Sequence, residues 1–280
     1  MQYRGRGASW ILQVLPLLLL SVFLDSERGY ASEYWSESFE DYEIESGIKD
    51  QGGWDTWDGS ESLNVNATVS DNVAAAGEKS LLVYGSNDVV YRFQHIYSGQ
   101  WLVKAKVYLP NSQSGNLYFI LLNNYNHGGP YNWSVQIKLS MDTGLAENLG
   151  GSIANGGGSC VIEPDTWHTI SVQIDLDNNL HSVFIDDIPL HVDDTWAGGP
   201  DSLVSLAAID LFSESSSESY FDDIAVYRIC TSAVRNIHTG RTTLVAGVET
   251  PLYQEGTPLQ ASIKLRMLDC LLYTSPSPRD

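Results

Sequence analysis

The chain has 280 residues and a formal net charge of −20 at pH 7, with 35 acidic residues against 15 Lys and Arg. So acidic a surface repels a phosphate backbone, which excludes nucleic acid as a partner; acid excess also favours solubility and names no ligand by itself. With 24 Gly, 3 Met and 11% aromatic residues, the composition is that of an all-β domain of short strands and many turns.

The chain opens with Arg4 and Arg6 followed by an apolar stretch from Ala8 to Leu24, the order of charge and apolar residues found in a secretory signal peptide. Gly29 and Ala31 suit the −3 and −1 positions of a cleavage site, so a signal over 1–31 is expected, with Ser32 as a neighbouring option. An uncleaved anchor is the alternative, and the stretch is near the short end for a span. No other segment is long and apolar enough to cross a bilayer. An exported protein is expected, secreted or held at the cell surface, with no membrane span after cleavage.

From Phe39 onward, apolar residues recur with a period of two. Trp101, Val103, Ala105, Val107 and Leu109 alternate with polar neighbours, as do Trp133, Val135, Ile137 and Leu139, and again Ile170, Val172, Ile174 and Leu176; each run buries one face and wets the other. The run Leu180 to Ile185 returns after Asp177, Asn178 and Asn179, which reads as a hairpin. Further strands are expected over Leu63–Val69, Ser80–Tyr84, Val89–Phe93, Leu117–Asn123, Ser205–Phe212 and Tyr220–Arg228. No helical period is evident, so 36–228 is expected to form a two-sheet antiparallel jelly-roll sandwich. Trp101, Trp167 and Trp196 are assigned to core or rim, and Trp133 to the core.

Residues 229–269 lack a clear period and read as a linker or the start of a second domain. The final run CLLYTSPSPRD, Cys270 to Asp280, resembles an in-frame translation of a transposase sequencing adapter and is left out of fold reasoning. That leaves Cys160 and Cys230 as the cysteines that could pair in an oxidising compartment, which their sequence positions do not decide. Two sequons, at Asn66 and Asn132, are expected to be bare.

The stretch WHTISVQIDLDNNLHSVFIDDIPL, Trp167 to Leu190, resembles the late hairpin of laminin G-like and concanavalin A-like jelly-roll modules. Phe39-Glu40-Asp41-Tyr42 and Tyr220-Phe221-Asp222-Asp223-Ile224 are similar to the paired first and last strands of such modules in secreted bacterial proteins, and Tyr118 to Gln136 adds to the likeness. The resemblance implies a lectin, an adhesion module or a polysaccharide-cleaving enzyme, because one fold hosts all three. It also implies that Glu40, Asp41, Asp222 and Asp223 could share one structural calcium ion that staples the chain ends.

The chemistry narrows this range. Jelly-roll glucanases resemble one another in a Glu-x-Asp-x-x-Glu strand, which this chain lacks. The Gln-Ile-His of alginate-lyase relatives is replaced by Gln136-Ile137-Lys138, and there is no nucleophile elbow. Sugar recognition needs aromatic faces beside amides and carboxylates. Two segments offer both: a loop with Asn123, Asn124, Tyr125, His127 and Tyr131, bent at Gly128-Gly129-Pro130, and the pair Trp54 and Trp57. The sequence thus reads as a non-catalytic module of a larger exported protein that binds a polysaccharide or cell-surface glycan. The alternatives are a structural spacer beside another functional domain and a polysaccharide-degrading hydrolase or lyase.

Overall fold

The computed structural model describes residues 30–94, 96–111, 114–151 and 156–230, and four short strands between residues 232 and 258. The leader-like residues 1–29 and the adapter-like segment 270–280 lie outside the described residues. The chain divides into two units, one spanning Ala31–Ile229 and the other comprising Met1–Tyr30 and Cys230–Asp280.

The first unit holds fifteen strands and no helix among its described residues. They are β1 (Tyr30–Glu37), β2 (Trp54–Thr56), β3 (Thr68–Ser70), β4 (Ser80–Gly85), β5 (Asp88–Arg92), β6 (Gln100–Tyr108), β7 (Asn116–Asn124), β8 (Asn132–Ser140), β9 (Leu145–Asn148), β10 (Ser159–Val161), β11 (Trp167–Asp175), β12 (Leu180–Ile185), β13 (Ile188–Thr195), β14 (Ala208–Glu214) and β15 (Ser216–Cys230). One sheet runs β13-β12-β11-β6-β15-β4-β3, with β1 also paired to β15; the other runs β10-β9-β8-β7-β14-β5-β2. The two antiparallel sheets pack face to face as a jelly-roll sandwich.

The core follows from the alternation. Val103, Ala105 and Val107 of β6, Phe119 and Leu121 of β7, Val135, Ile137 and Leu139 of β8, and Ile170, Val172 and Ile174 of β11 all belong to one buried cluster. Each large apolar side chain buried there stabilises the fold by about 1.5–3 kcal/mol relative to exposure. Trp54, Trp101 and Trp196 join this cluster, while Trp167 sits half-buried on Tyr108 with ring centroids 5.4 Å apart. Cys160 is a free thiol that packs against the core, and burial pushes its pKa up.

Of the strand expected over Leu63–Val69, only Thr68–Ser70 forms, and Leu63 is exposed. Ser and Asn side chains divert that backbone: Ser62 Oγ accepts from the Asn64 amide and Asn66 Oδ1 from the Lys49 amide, local bonds that compete with a ladder. Asn132 is buried, so its sequon is shielded in the folded state. In the second unit, β16 (Ser232–Arg235) pairs with β17 (Thr242–Val245) and β18 (Tyr253–Gln254) with β19 (Thr257–Pro258), both antiparallel. The described residues contain no helix long and apolar enough to cross a membrane.

Candidate functional site

On β7 and β14 the residues of odd number, Phe119, Leu121, Ile209 and Leu211, face the core, so Ile120, Leu122, Ala208 and Asp210 face out. This outer face of the seven-stranded sheet is not left bare. Ile120, Leu122, Ala208 and Val90 form a second apolar cluster with Tyr125, against which Trp57, Tyr118, Trp133 and Phe212 pack.

A break in register explains how Trp133 comes to be there. Strict alternation from Val135 and Ile137 would send Trp133 into the core, as the sequence implies. The β7–β8 ladder instead shifts register between Leu121 and Leu122 and again between Leu122 and Asn124. One residue of slip inverts the faces. Ser134 and Asn123 turn inward, Asn123 donating to Ser134 Oγ at 2.8 Å and to Asn132 Oδ1 at 2.9 Å, while Ser134 Oγ donates to the Trp196 carbonyl at 2.5 Å. Trp133 is turned out, half-buried, onto Trp57.

Four aromatic rings meet on that surface. Trp57 and Trp133 lie parallel within 7°, with centroids 6.4 Å apart. Tyr131 meets both edge-on at 5.2 and 5.1 Å, and Tyr125 leans on Trp57 at 4.8 Å. The Tyr125 hydroxyl donates to the Trp57 carbonyl, the Trp57 amide donates to the Asp88 carbonyl at 3.0 Å, and His127 Nε2 lies 3.3 Å from Asp55 Oδ2. Gly129-Pro130 is a cis peptide. The chain thus joins the 123–131 loop to the Trp57 segment, and Tyr131, 39% exposed, presents the joined cluster to solvent.

Other expected site residues are placed differently. Trp54 is 1% exposed, sits in the core and donates its indole N–H to Glu37 Oε2 at 3.2 Å; no face of it is free for a ligand. Asn123 is fully buried, and its Oδ1 accepts from the Leu203 amide. Asn124 is buried too, donating to the Asp201 carbonyl at 2.8 Å. These amides hold the loop rather than face solvent.

Sequence reasoning missed a carboxyl pair beneath the aromatic residues. Asp88 of β5 and Asp210 of β14 sit on neighbouring strands, with Asp88 opposite Phe212 and Asp210 opposite Val90, and Oδ1 of each is buried with no hydrogen-bond partner. Burial raises the Asp88 pKa to about 6 and that of Asp210, beside it, well above the carboxylate range. The available signal was polar residues at outward positions of two strands, but the pairing of those strands is not in the sequence.

The acids at the chain ends form a staple of another kind. Glu40 Oε1 accepts the amides of Glu78 at 2.9 Å and Lys79 at 2.8 Å, while Lys79 Nζ donates to the carbonyls of Glu40 at 2.8 Å and Tyr42 at 2.7 Å. Asp222, fully buried at the β15 bulge, accepts the amides of Ala75 at 2.7 Å and Ala76 at 3.3 Å, and that of Asp223 at 2.7 Å; burial raises its pKa to about 6. Asp41 is exposed, Asp223 is the left-handed residue of the bulge with φ 45°, and no three His, Cys, Asp or Glu among the described residues make a metal-binding group. Calcium needs six to eight oxygens turned toward it. Here the Glu40 and Asp222 carboxylates face N–H donors and the Lys79 ammonium occupies the carbonyls of Glu40 and Tyr42, so these two acids as folded do not fit the ion.

On the eight-stranded sheet, a cleft of about 210 Å³ is lined by residues including Gln100, Gln173, Asp175, Ser182 and Asp193. It has amides and carboxylates but no exposed aromatic face, since its Trp101 is buried.

No family model and no curated protein matches the chain. Among solved structures, it is similar to a sialidase (TM-score 0.47, 10% identity, 72% of this chain and 19% of that one) and to the cellulose induced protein Cip1 (0.49, 14%, 69% and 96%). Carbohydrate binding module CBM66 from Bacillus subtilis matches at a TM-score of 0.42 and 9% identity, over 65% of this chain and 99% of that one. The chain therefore spans about a fifth of the sialidase's length.

Proposed function

We propose that the sandwich is a glycan-binding module, with Trp57, Tyr131 and Trp133 on the outer face of the seven-stranded sheet as its ligand surface and Tyr125, expected from the sequence to face the ligand but only 7% exposed, packed beneath them as support. The observation that carries this reading is the convergence of two distant segments on one aromatic cluster that reaches solvent at Tyr131. A loop that only turned the chain would not need Tyr131 held edge-on across two tryptophans. Aromatic faces stack on the C–H patches of sugar rings, and His127, Asp55 and Asn126 stand beside them as groups able to meet hydroxyls.

Binding without turnover goes with this reading, because the sequence lacks the Glu-x-Asp-x-x-Glu strand in which jelly-roll glucanases resemble one another. The leader-like N-terminus supports export, and the module then holds a larger secreted or surface protein to a polysaccharide or cell-surface glycan. The test is affinity electrophoresis of the full chain in gels containing soluble polysaccharides, with parallel assays for reducing ends and unsaturated products. Retardation in at least one glycan, lost in Tyr131→Ala and without product release, is expected. Retardation equal in wild type and Tyr131→Ala would move the ligand surface elsewhere, and product release would make the protein an enzyme.

A further inference from the structure

The pair formed by Asp88 and Asp210 has no part in the glycan contacts proposed for the cluster, yet the Asp88 backbone is bonded to Trp57. Asp210 is 3% exposed, and its Oδ1 has no hydrogen-bond partner; the same holds for Oδ1 of Asp88. Two ionised carboxylates cannot share a dry space, because each unpartnered charge would carry its full desolvation cost beside a like charge. A single proton between them removes one charge and supplies the hydrogen bond that joins them.

The connection to the aromatic cluster runs through the backbone of Asp88. Its carbonyl accepts the Trp57 amide at 3.0 Å, and the Trp57 carbonyl accepts the Tyr125 hydroxyl. Trp57 is thereby clipped on both sides, once to the strand that carries the pair and once to the loop that carries Tyr131. The charged groups facing this region are Asp55 and Asp58 from the segment around Trp57, Arg92 from β5, and Tyr125 and His127 from the loop. Arg92 is the arginine among them, and it acts on Tyr125. Ionisation of the pair therefore adds negative charge to a neighbourhood already holding Asp55 and Asp58 and acting on Tyr125.

We infer that Asp88 and Asp210 are positioning residues that set the placement of Trp57, uncharged with two protons at low pH and sharing one proton at neutral pH, with glycan uptake at the aromatic cluster strongest in the uncharged state. This rests on the glycan-binding reading for its last clause only; the proton sharing and the coupling to Trp57 do not need it. The sign follows from the burial of both groups. Loss of the first of the pair's two protons, as pH rises through about 6, leaves the anion that shares the second, and its added negative charge near Asp55 and Asp58 loosens the Trp57 clip and weakens binding.

The test uses the full chain and three readouts. Side-chain carboxyl ¹³C shifts, followed across pH, report when Asp88 and Asp210 titrate; tryptophan fluorescence reports Trp57; affinity electrophoresis at a series of pH values reports glycan binding. In wild type, one of the two carboxyls is expected to keep its proton through neutral pH, with a fluorescence step and a severalfold fall in affinity over the range in which the other titrates. Asp210→Asn, whose amide can still donate to Asp88, should fold, abolish the step and flatten the affinity profile. Asp88→Asn is the second variant and should do the same. Both carboxyls titrating in the ordinary range, or a step that survives in both variants, would overturn the inference. If the step and its loss are seen but no glycan is retarded at any pH, the pair stands and the glycan reading falls.

Discussion

At the scale of single residues, the tryptophans separate by which side of a sheet they face. Trp54 fills the core, so Trp54→Ala should cost about 3–5 kcal/mol as a truncated large aromatic, visible as a large fall in the denaturation midpoint. Tyr131 lies on the surface, so Tyr131→Ala should change that midpoint little while weakening glycan binding by about 1–3 kcal/mol, the scale of an aromatic anchor. Trp133→Ala should resemble the tyrosine variant more than Trp54→Ala, since Trp133 packs on the outer face. A Trp133→Ala midpoint as low as that of Trp54→Ala would place Trp133 back in the core. Tyr125, His127, Tyr131 and Trp57 were legible as site candidates because aromatic residues in a Gly-Gly-Pro loop and after a Gly-Gly pair exceed what a turn needs. Asn123 and Asn124 carried the same polar signal but serve the opposite role, because a sequence does not reveal which amides already have partners.

At the scale of elements, the runs that alternate cleanly formed the strands expected of them: β6, β8, β11 and β12 all coincide with period-two segments. The strands that escaped the sequence are short or broken. β9 and β10 have four and three residues, too few to show a period, and β13 pairs with β12 through register shifts at Val183. Bulges also decide the functional placement: one turns Trp133 outward, and another, at Asp222–Ala225, turns Asp222 into the interior. The end staple is likewise built from elements, with the 75–79 loop held between Glu40 and Asp222. Lys79→Met should lower the melting temperature by the loss of two charge-assisted bonds, about 1.5–3 kcal/mol for a hydrogen bond to a charged group. Excess calcium or a chelator should leave the wild-type melting temperature unmoved. A clear rise with calcium would show an ion bound to the folded state and a rearranged staple.

At the scale of the whole molecule, buried carboxyls make stability depend on pH in an unusual direction. Asp88 and Asp222 are raised to about 6 and Asp210 further, all chiefly by burial. A raised carboxyl contributes stability that is fully present below its unfolded pKa of about 4 and lost as pH rises through the folded value. His181, lowered to about 4 by burial, works the other way, since the unfolded chain takes up its proton first on acidification. Three carboxyls outweigh one imidazole, so the melting temperature should rise as pH is lowered from about 7 to about 5. A steady fall over that range would contradict the protonation states assigned to the three carboxyls.

The central claim is that a glycan binds at the cluster made by the 123–131 loop and the Trp57 segment. Isothermal titration of the full chain with the polysaccharide that retards it most, in wild type, Tyr131→Ala and Gln173→Ala, tests this most directly. Gln173 lines the cleft on the opposite sheet and is the control for binding elsewhere. Saturable binding to wild type is expected, with binding to Tyr131→Ala weaker by about fivefold or more, as a loss of about 1–3 kcal/mol implies, and wild-type affinity for Gln173→Ala. Binding that survives in Tyr131→Ala and disappears in Gln173→Ala would contradict the claim and place the ligand on the other sheet.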